Sequence, residues 1–150
     1  MNRRMVVAEW SRAREGLRAA EALTREHCYA DAISRAYYAI LHAAKAALHT
    51  HDVAAESHAA VRRMFGLHLV RPAEIEPEWS VYLVESLDDR LAADYDVETL
   101  FSREKTPGGE CRRSREFINR IRRYLLKKGL KQSELRKGYS PKKKNGDQSH

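Results

Sequence analysis

Apolar residues recur every three or four positions through five successive segments of this chain, which is the spacing of a helix face. The predicted helices cover residues 4–26, 28–50, 58–70, 77–95 and 109–128. Their inner faces are predicted to be Val6, Trp10, Ala13, Leu17 and Ala20; Ile33, Tyr37, Leu41, Ala44 and Leu48; Val61, Met64, Phe65 and Leu69; Val84, Leu87, Leu91 and Tyr95; and Cys111, Ser114, Ile118, Ile121 and Leu125 with Phe117 and Tyr124. Ser57 is expected to cap the third helix, and Gly129 to end the fifth.

Glycine and proline are scarce, which supports an all-helical chain. Seven glycines and four prolines in 150 residues argue against a turn-rich all-β fold. A chain of this length is expected to form one domain with its own core, without disulfide or metal support. The sequence therefore predicts an all-α fold. We expect an up-and-down bundle of four to five helices over residues 1–129, followed by a basic, disordered tail over 130–150.

The positive charge of the chain is concentrated at its C-terminal end. The formal net charge is +7, and residues 127–150 hold eight lysines and arginines against two acidic residues. The rest of the chain is therefore close to neutral. A basic end of this kind suits RNA, DNA or another acidic surface, although it could equally be a solvated tail that aids solubility.

The second predicted helix carries a row of polar residues beside its apolar face. Arg35 and His42 are seven positions apart, so they point within about 20° of one direction and lie about 10 Å apart along the helix. Tyr38 lies between them, and Asp31 and His49 extend the row. We call these five residues the polar row.

The polar row offers a set of groups suited to RNA cleavage without a metal ion. Arginine is a permanent cation whose donors fit phosphate, and histidine transfers protons near neutral pH. His42 would act as base for a 2′-hydroxyl, Arg35 would stabilise charge at phosphorus, and Tyr38 would orient both. A symmetric dimer would supply two such sets. The other interpretation is that the row is merely the solvated side of a bundle helix.

Short blocks of sequence continue from the polar row along the chain. They are Ser34-Arg35-Ala36-Tyr37-Tyr38-Ala39, His42-Ala43-Ala44-Lys45-Ala46 with Leu48, Ser57-His58 with Phe65, Arg90 with Ala93-Asp94-Tyr95, and Phe117-Ile118. Over about residues 5–128, this pattern resembles the HEPN domain (higher eukaryotes and prokaryotes nucleotide-binding), and in particular its small stand-alone prokaryotic members.

The resemblance implies a helical bundle that often forms a homodimer and is encoded beside a minimal nucleotidyltransferase, in toxin–antitoxin or related defence modules. For catalytic members it implies a metal-independent endoribonuclease with a short spacer between an arginine and a histidine. Six residues separate Arg35 from His42, the longest spacer that the motif allows.

Two departures from the catalytic pattern leave an alternative open. Ala36 follows the arginine, where catalytic members usually have a polar residue, and the motif lies on the second helix rather than a later one. The alternative is a non-catalytic HEPN protein that binds a nucleotidyltransferase as its antitoxin or accessory subunit. Arg35 and His42 would then belong to a packing or dimer surface.

Other charged residues are candidates for contacts around the polar row. The predicted contacts to the RNA backbone are Arg112, Arg113, Arg120, Arg123, Lys127 and Lys128. His58, Arg90 and Asp94 are possible accessory residues. The simpler interpretation of Arg90 and Asp94 is an ion pair within one helix.

The sequence predicts neither a metal site nor a cofactor. His49 and His51 lie near Asp52 but lack a further spaced ligand, and no glycine-rich phosphate loop is present. No apolar run approaches the roughly 20 residues of a membrane span. Cys28 and Cys111 are expected to be buried thiols in a reducing compartment, which favours the cytoplasm.

Overall fold

The structure is a computed structural model that describes residues 1–95 and 107–137. Within these two ranges it is helical and contains no β-strand, which confirms the predicted all-α fold. The helices are α1 (Arg3–Arg25), α2 (Tyr29–His49), α3 (His58–Phe65), α4 (Glu78–Tyr95), α5 (Pro107–Lys127) and α6 (Gln132–Lys137), with a π-helical turn (Gly66–Val70) continuing α3.

Helix α2 lies at the centre of the bundle and packs against α1, α4 and α5. Its small side chains allow close packing: the six alanines between positions 36 and 47 are all fully buried. Helix α1 runs antiparallel to it, and the amide of Asn2 donates to the carbonyl of His49 at 3.2 Å. A Cβ placed on Gly16 would lie only 3.2 Å from the Cβ of Ala39, so glycine permits the close approach of α1 and α2.

Helix α5 completes the core with the face that its sequence predicts. Its seven predicted inner residues are all buried, and the ring of Phe117 packs 6.0 Å from that of Phe65. The hydroxyl of Ser114 donates to the carbonyl of Ala36 at 3.2 Å, which satisfies this buried polar group. The expectation for the cysteines is half wrong, because Cys111 is buried but Cys28 is exposed.

Two helix ends match the sequence prediction. The hydroxyl of Ser57 accepts from the amide of Ala60 at 3.1 Å and so caps α3. Gly129 has a φ of +100°, the left-handed conformation that ends a helix and that only glycine adopts readily. The predicted loop over residues 96–109 falls mostly outside the described residues, and α5 begins at Pro107.

The bundle continues past Gly129, where the sequence interpretation ended it. Leu130 and Leu135 are each 3% exposed and belong to the core. The indole Nε1 of Trp10 donates to the carbonyl of Leu135 at 3.0 Å and holds α6 against α1. A six-residue helix is too short to show periodicity, which is why α6 was assigned to the tail. Residues 138–150 lie outside the described part of the chain.

The predicted inner face of α4 is the other correction. Leu91 is 41% and Tyr95 is 83% exposed, whereas Ser86, Asp89 and Ala93 are buried. The polar inner side is possible because it finds partners on other helices, as in the ion pair between Asp89 and Arg113 at 3.6 Å. Apolar residues occur on both sides of α4, so their periodicity alone did not identify the side that faces the core.

Candidate active site

A cleft of about 300 Å³ lies between α1 and α2, and three residues of the polar row line it. Arg35, Tyr38 and His42 project into the cleft from α2. The facing side of α1 contributes Arg12, Glu15, Gly16 and Ala19. The structure therefore brings together the three residues that the sequence analysis assigned to catalysis. The ends of the polar row do not join them: Asp31 is exposed away from the cleft and His49 is buried.

The imidazole of His42 is held by a carboxylate that the sequence analysis did not identify. Its Nδ1 lies 2.6 Å from Oε2 of Glu9, and Oε1 of Glu9 lies 3.5 Å from Nζ of Lys45. Burial raises the pKa of Glu9, but the hydrogen bond from His42 and the charge of Lys45 outweigh burial, so the net pKa is lowered. An ionised carboxylate only accepts hydrogen bonds, so Nδ1 donates the proton of this bond and Nε2 is the ring nitrogen left for proton transfer.

Two arginines place positive charge in the same cleft. Arg35 and Arg12 are both exposed and line the cleft from opposite helices. Neither guanidinium forms an ion pair with a residue in the described ranges, so their donors face the cleft or solvent. Glu15 contributes the single negative charge among the lining residues. The cleft thus combines a proton acceptor with two cations that are free to contact an anion.

The predicted accessory residues lie behind Tyr38 rather than in the cleft. The guanidinium carbon of Arg90 lies 5.1 Å from the ring centre of Tyr38 and 5.3 Å from that of Tyr37. The hydroxyl of Tyr37 lies 2.9 Å from Nδ1 of His58. Burial, followed by the charge of the nearby Arg62, lowers the pKa of His58, so His58 is neutral near neutral pH.

Arg90 also pairs within its own helix. Its Nε lies 3.6 Å from Oδ2 of Asp94, an i,i+4 ion pair like the one that the sequence analysis offered as the simpler interpretation. The guanidinium therefore supports the Tyr38 ring by a cation–π contact, and His58 supports Tyr37. These contacts connect the accessory residues to the cleft only through the tyrosine pair.

The predicted RNA-contacting cations of α5 divide into two groups. Three are engaged by carboxylates: Arg113 pairs with Glu85 and Asp89, Arg120 with Glu76 at 2.8 Å, and Lys128 with Glu74 at 2.6 Å. Arg112, Arg123 and Lys127 are exposed and form no ion pair with a residue that the structure describes. Because a paired cation is partly neutralised, the second group is better suited to an added anion.

Sequence reasoning missed the contribution of α1 to the cleft. Glu9, Arg12 and Gly16 recur at three- and four-residue spacing and so share one side of α1. A glycine within an otherwise regular helix is the signal that could have marked this side, since it often indicates close approach of another element. The identity of the partner helix, however, depends on packing that the spacing does not specify.

The structure offers no grouping for a metal ion among the residues it describes. In ranges 1–95 and 107–137, no three histidine, cysteine, aspartate or glutamate side chains are gathered closely enough to hold one. In the same part of the chain, no helix combines the length and apolar character needed to cross a bilayer.

Comparisons with known proteins agree on one family. A model described as the HEPN domain matches residues 7–130. A protein of Methanocaldococcus jannaschii named "Putative toxin MJ0605" is 36% identical over 113 residues, which cover 75% of this chain and 83% of that protein. A second protein of that organism, "Putative toxin MJ0142", is 28% identical over 123 residues, covering 82% and 83%. "UPF0332 protein PH1297" of Pyrococcus horikoshii is 47% identical over 60 residues, covering 40% and 42%.

Proposed function

The chain belongs to the HEPN domain family, and from this premise we propose that it is a toxin-type endoribonuclease that cleaves RNA without a metal ion. One observation carries the proposal: His42, fixed through Nδ1 by Glu9, shares a cleft with the unpaired guanidinium of Arg35. The names of the two Methanocaldococcus jannaschii relatives support a toxin-like role.

The proposed reaction uses the 2′-hydroxyl of RNA as nucleophile. Nε2 of His42 takes the hydroxyl proton while the 2′ oxygen bonds to the adjacent phosphorus. Arg35, with Arg12 opposite, stabilises the negative charge that builds up on the phosphorus oxygens. The bond from phosphorus to the 5′ oxygen then breaks, and that oxygen takes up a proton. The products are a 2′,3′-cyclic phosphate and a 5′-hydroxyl end.

A cleavage assay tests the proposal directly. Single-stranded RNA is incubated with the purified protein in the presence of EDTA, and the ends of the products are identified. The wild type is expected to cleave, and Arg35→Ala and His42→Ala to lose cleavage while remaining folded. Arg25→Ala, which removes an exposed arginine of α1 outside the cleft, is the charge-matched control. Activity that disappears with EDTA would contradict the proposal.

We further propose that the active form is a homodimer that pairs through α4. Val81, Leu91 and Tyr95 are 48%, 41% and 83% exposed, and with the half-buried Val84 they share one side of α4. Arg90 of the same helix contacts Tyr38 of the cleft, so pairing along α4 would bring two clefts near each other. A second imidazole would then be available to return the proton to the 5′ oxygen.

The oligomeric state provides the test of this pairing. Leu91→Glu is expected to convert a dimer into a monomer in sedimentation analysis, because two buried carboxylates would face each other across the symmetry axis. Leu67→Glu is the control, since Leu67 is equally exposed on the π-helical turn away from α4. A wild type that is monomeric at micromolar concentration would overturn the dimer.

The exposed face of α4 also favours a second candidate function. It could bind a nucleotidyltransferase, with the chain acting as a non-catalytic antitoxin or accessory subunit. Expression of the protein alone separates the two functions: an endoribonuclease toxin slows growth and loses this effect with His42→Ala. A non-catalytic subunit has no effect on growth alone and binds the nucleotidyltransferase, and Leu91→Glu weakens that binding.

A further inference from the structure

We infer that a second groove, on the other flank of α1, binds a nucleotide unit of RNA through its phosphate. The groove has a volume of about 290 Å³ and lies where α1, α5 and α6 meet. Four arginines line it: Arg14, Arg18, Arg122 and Arg136. The inference rests on the proposed action on RNA, because it identifies where the substrate is held outside the cleft.

The positive charge of the groove is not balanced by acidic side chains in its lining. None of the residues that the structure places along it is acidic. Arg14 donates hydrogen bonds of 2.7 Å to the carbonyls of Leu135 and Arg136, which lie in the last turn of α6. Arg18 and Arg122 form no ion pair with any described residue. Guanidinium groups gathered without a carboxylate create a positive potential that a bound phosphate would relieve.

Part of the lining of the groove is apolar, which distinguishes it from a simple basic patch. Leu17, Ile118 and Trp10 line it together with the arginines. The amide side chains of Asn119 and Gln132 also line the groove and offer donors and acceptors. A phosphate on the guanidinium forks, with its base against the apolar part of the lining, would combine the charge and apolar contacts by which proteins hold unpaired nucleotides.

The groove and the cleft open on opposite flanks of α1. At 100° per residue, Arg12 and Arg14 differ by about 200°, which directs one to the cleft and the other to the groove. Arg18 is exposed on the ridge beside the groove, and Arg4 is exposed earlier along α1. A single strand that crosses this ridge could therefore occupy both sites at once.

Binding of a fluorescently labelled single-stranded RNA tests the inference. The full chain carries His42→Ala, so that the RNA stays intact, and anisotropy is measured over a range of salt concentrations. Adding Arg18→Ala with Arg122→Ala is expected to raise Kd about tenfold and to reduce the salt slope by about 1.4, since each contact to a single strand contributes ~0.7. Neither side chain forms a hydrogen bond with a residue that the structure describes, so the variant is expected to fold, as circular dichroism would verify.

The control variant carries Arg25→Ala with Arg71→Ala, which removes two exposed arginines that line neither the groove nor the cleft. Its Kd is expected to rise only about twofold, as for diffuse charge. Equal losses in the two variants, or no loss in the groove variant, would overturn the inference.

Quenching of Trp10 fluorescence in a Trp79→Phe background identifies the ligand. Quenching by RNA alone indicates a strand site, quenching also by adenosine monophosphate indicates a nucleotide site, and quenching by neither overturns it.

The RNA-binding experiment and the cleavage assay can fail independently of each other. If the wild type does not cleave RNA but the groove variant still binds RNA more weakly than the control, the proposed catalysis fails and the groove remains. If cleavage is found but binding does not depend on Arg18 and Arg122, the groove fails and the proposed function remains.

Discussion

The described part of the chain contains two glutamate–histidine pairs, each with a lysine, at two different places in the bundle. In the first, Nδ1 of His42 lies 2.6 Å from Glu9, and Lys45 lies 3.5 Å from the same carboxylate. In the second, Nε2 of His51 lies 3.0 Å from Glu74, and Lys128 lies 2.6 Å from that carboxylate. The two pairs have the same chemical groups but differ in what surrounds them.

The second pair is closed by further hydrogen bonds. The hydroxyl of Tyr124 lies 2.9 Å from Glu74, 3.1 Å from His51 and 2.8 Å from the hydroxyl of Thr50. Burial raises the pKa of Glu74, but hydrogen bonds from Lys128, His51 and Tyr124 outweigh burial and lower the pKa to about 2. This pair joins the end of α5 to the segments that flank α3, and we interpret it as a structural clamp.

The first pair instead borders a cleft that also contains Arg35. We interpret the difference as follows: a carboxylate and an imidazole are suited to proton transfer where the second ring nitrogen faces open space beside a cation. Where a neighbouring side chain already hydrogen-bonds both members of the pair, as Tyr124 does with Glu74 and His51, the carboxylate and the imidazole stabilise the fold.

The largest expected difference is between the two histidines. His42→Ala is expected to reduce RNA cleavage by about 10³-fold, because it removes the proposed general base. His51→Ala should leave cleavage within about twofold and lower the free energy of unfolding by about 1 kcal/mol, the value of one hydrogen bond. Initial rates on a labelled RNA and urea denaturation measure the two effects. Equal loss of cleavage in both variants would remove the distinction between the pairs.

Acid should weaken the closed pair. Because the pKa of Glu74 is lowered from 4.5 to about 2, its ionised form stabilises the fold above about pH 5, and this contribution is lost as the pH falls toward 2. The loss is up to about 3 kcal/mol. Glu74→Gln should be less stable than the wild type at neutral pH, and its stability should fall less steeply as the pH is lowered. The decline that remains includes the contribution of Glu9, whose pKa is also lowered. Parallel stability curves for the two proteins from pH 7 to pH 2 would refute this role.

The carboxylate of the open pair should act on turnover rather than on binding. Glu9 bonds His42 but does not line the cleft, so it is a positioning residue. Glu9→Gln is expected to lower kcat by about 10–100-fold with KM unchanged. Glu15→Gln, a matched change of a carboxylate that does line the cleft, should lower KM instead, because Glu15 repels phosphate. A change of KM alone in Glu9→Gln would argue against the positioning role.

The smallest difference is expected between two tyrosine hydroxyls. Tyr38→Phe should reduce cleavage by only about two- to fivefold, the effect of one hydrogen bond to substrate, and should leave the melting temperature unchanged. Tyr124→Phe should do the opposite, because its hydroxyl bonds three protein groups: cleavage is retained and the fold loses about 1 kcal/mol or more. A Tyr38→Phe variant that melts earlier would indicate a packing role for this hydroxyl.

Sequence reasoning was most successful where one side of a helix is uniformly apolar. The inner face of α5 and the cap at Ser57 were predicted correctly, because each follows from local periodicity or from local backbone chemistry. The face of α4 was predicted only in part: Leu87 packs against the core, but Leu91 and Tyr95 are exposed. Its buried side includes Asp89, and the partner that makes this burial tolerable, Arg113, lies on another helix.

The candidate site was also predicted only in part from the sequence. The spacing of Arg35, Tyr38 and His42 placed them on one side of α2, because helix geometry relates residues three and four apart. The presence of a cleft in front of them, and of Glu9 behind His42, depends on how α1 packs on α2.

By itself, the sequence determined five of the helices, most of their buried faces and the alignment of the three polar residues, since these follow from distances of a few residues along the chain. Only the tertiary structure decided which imidazole meets open space and which is closed by neighbours. It also decided that the arginines of α1, α5 and α6 share one groove. Such contacts join residues up to more than a hundred positions apart, as between Arg14 and Leu135, and no local pattern specifies them.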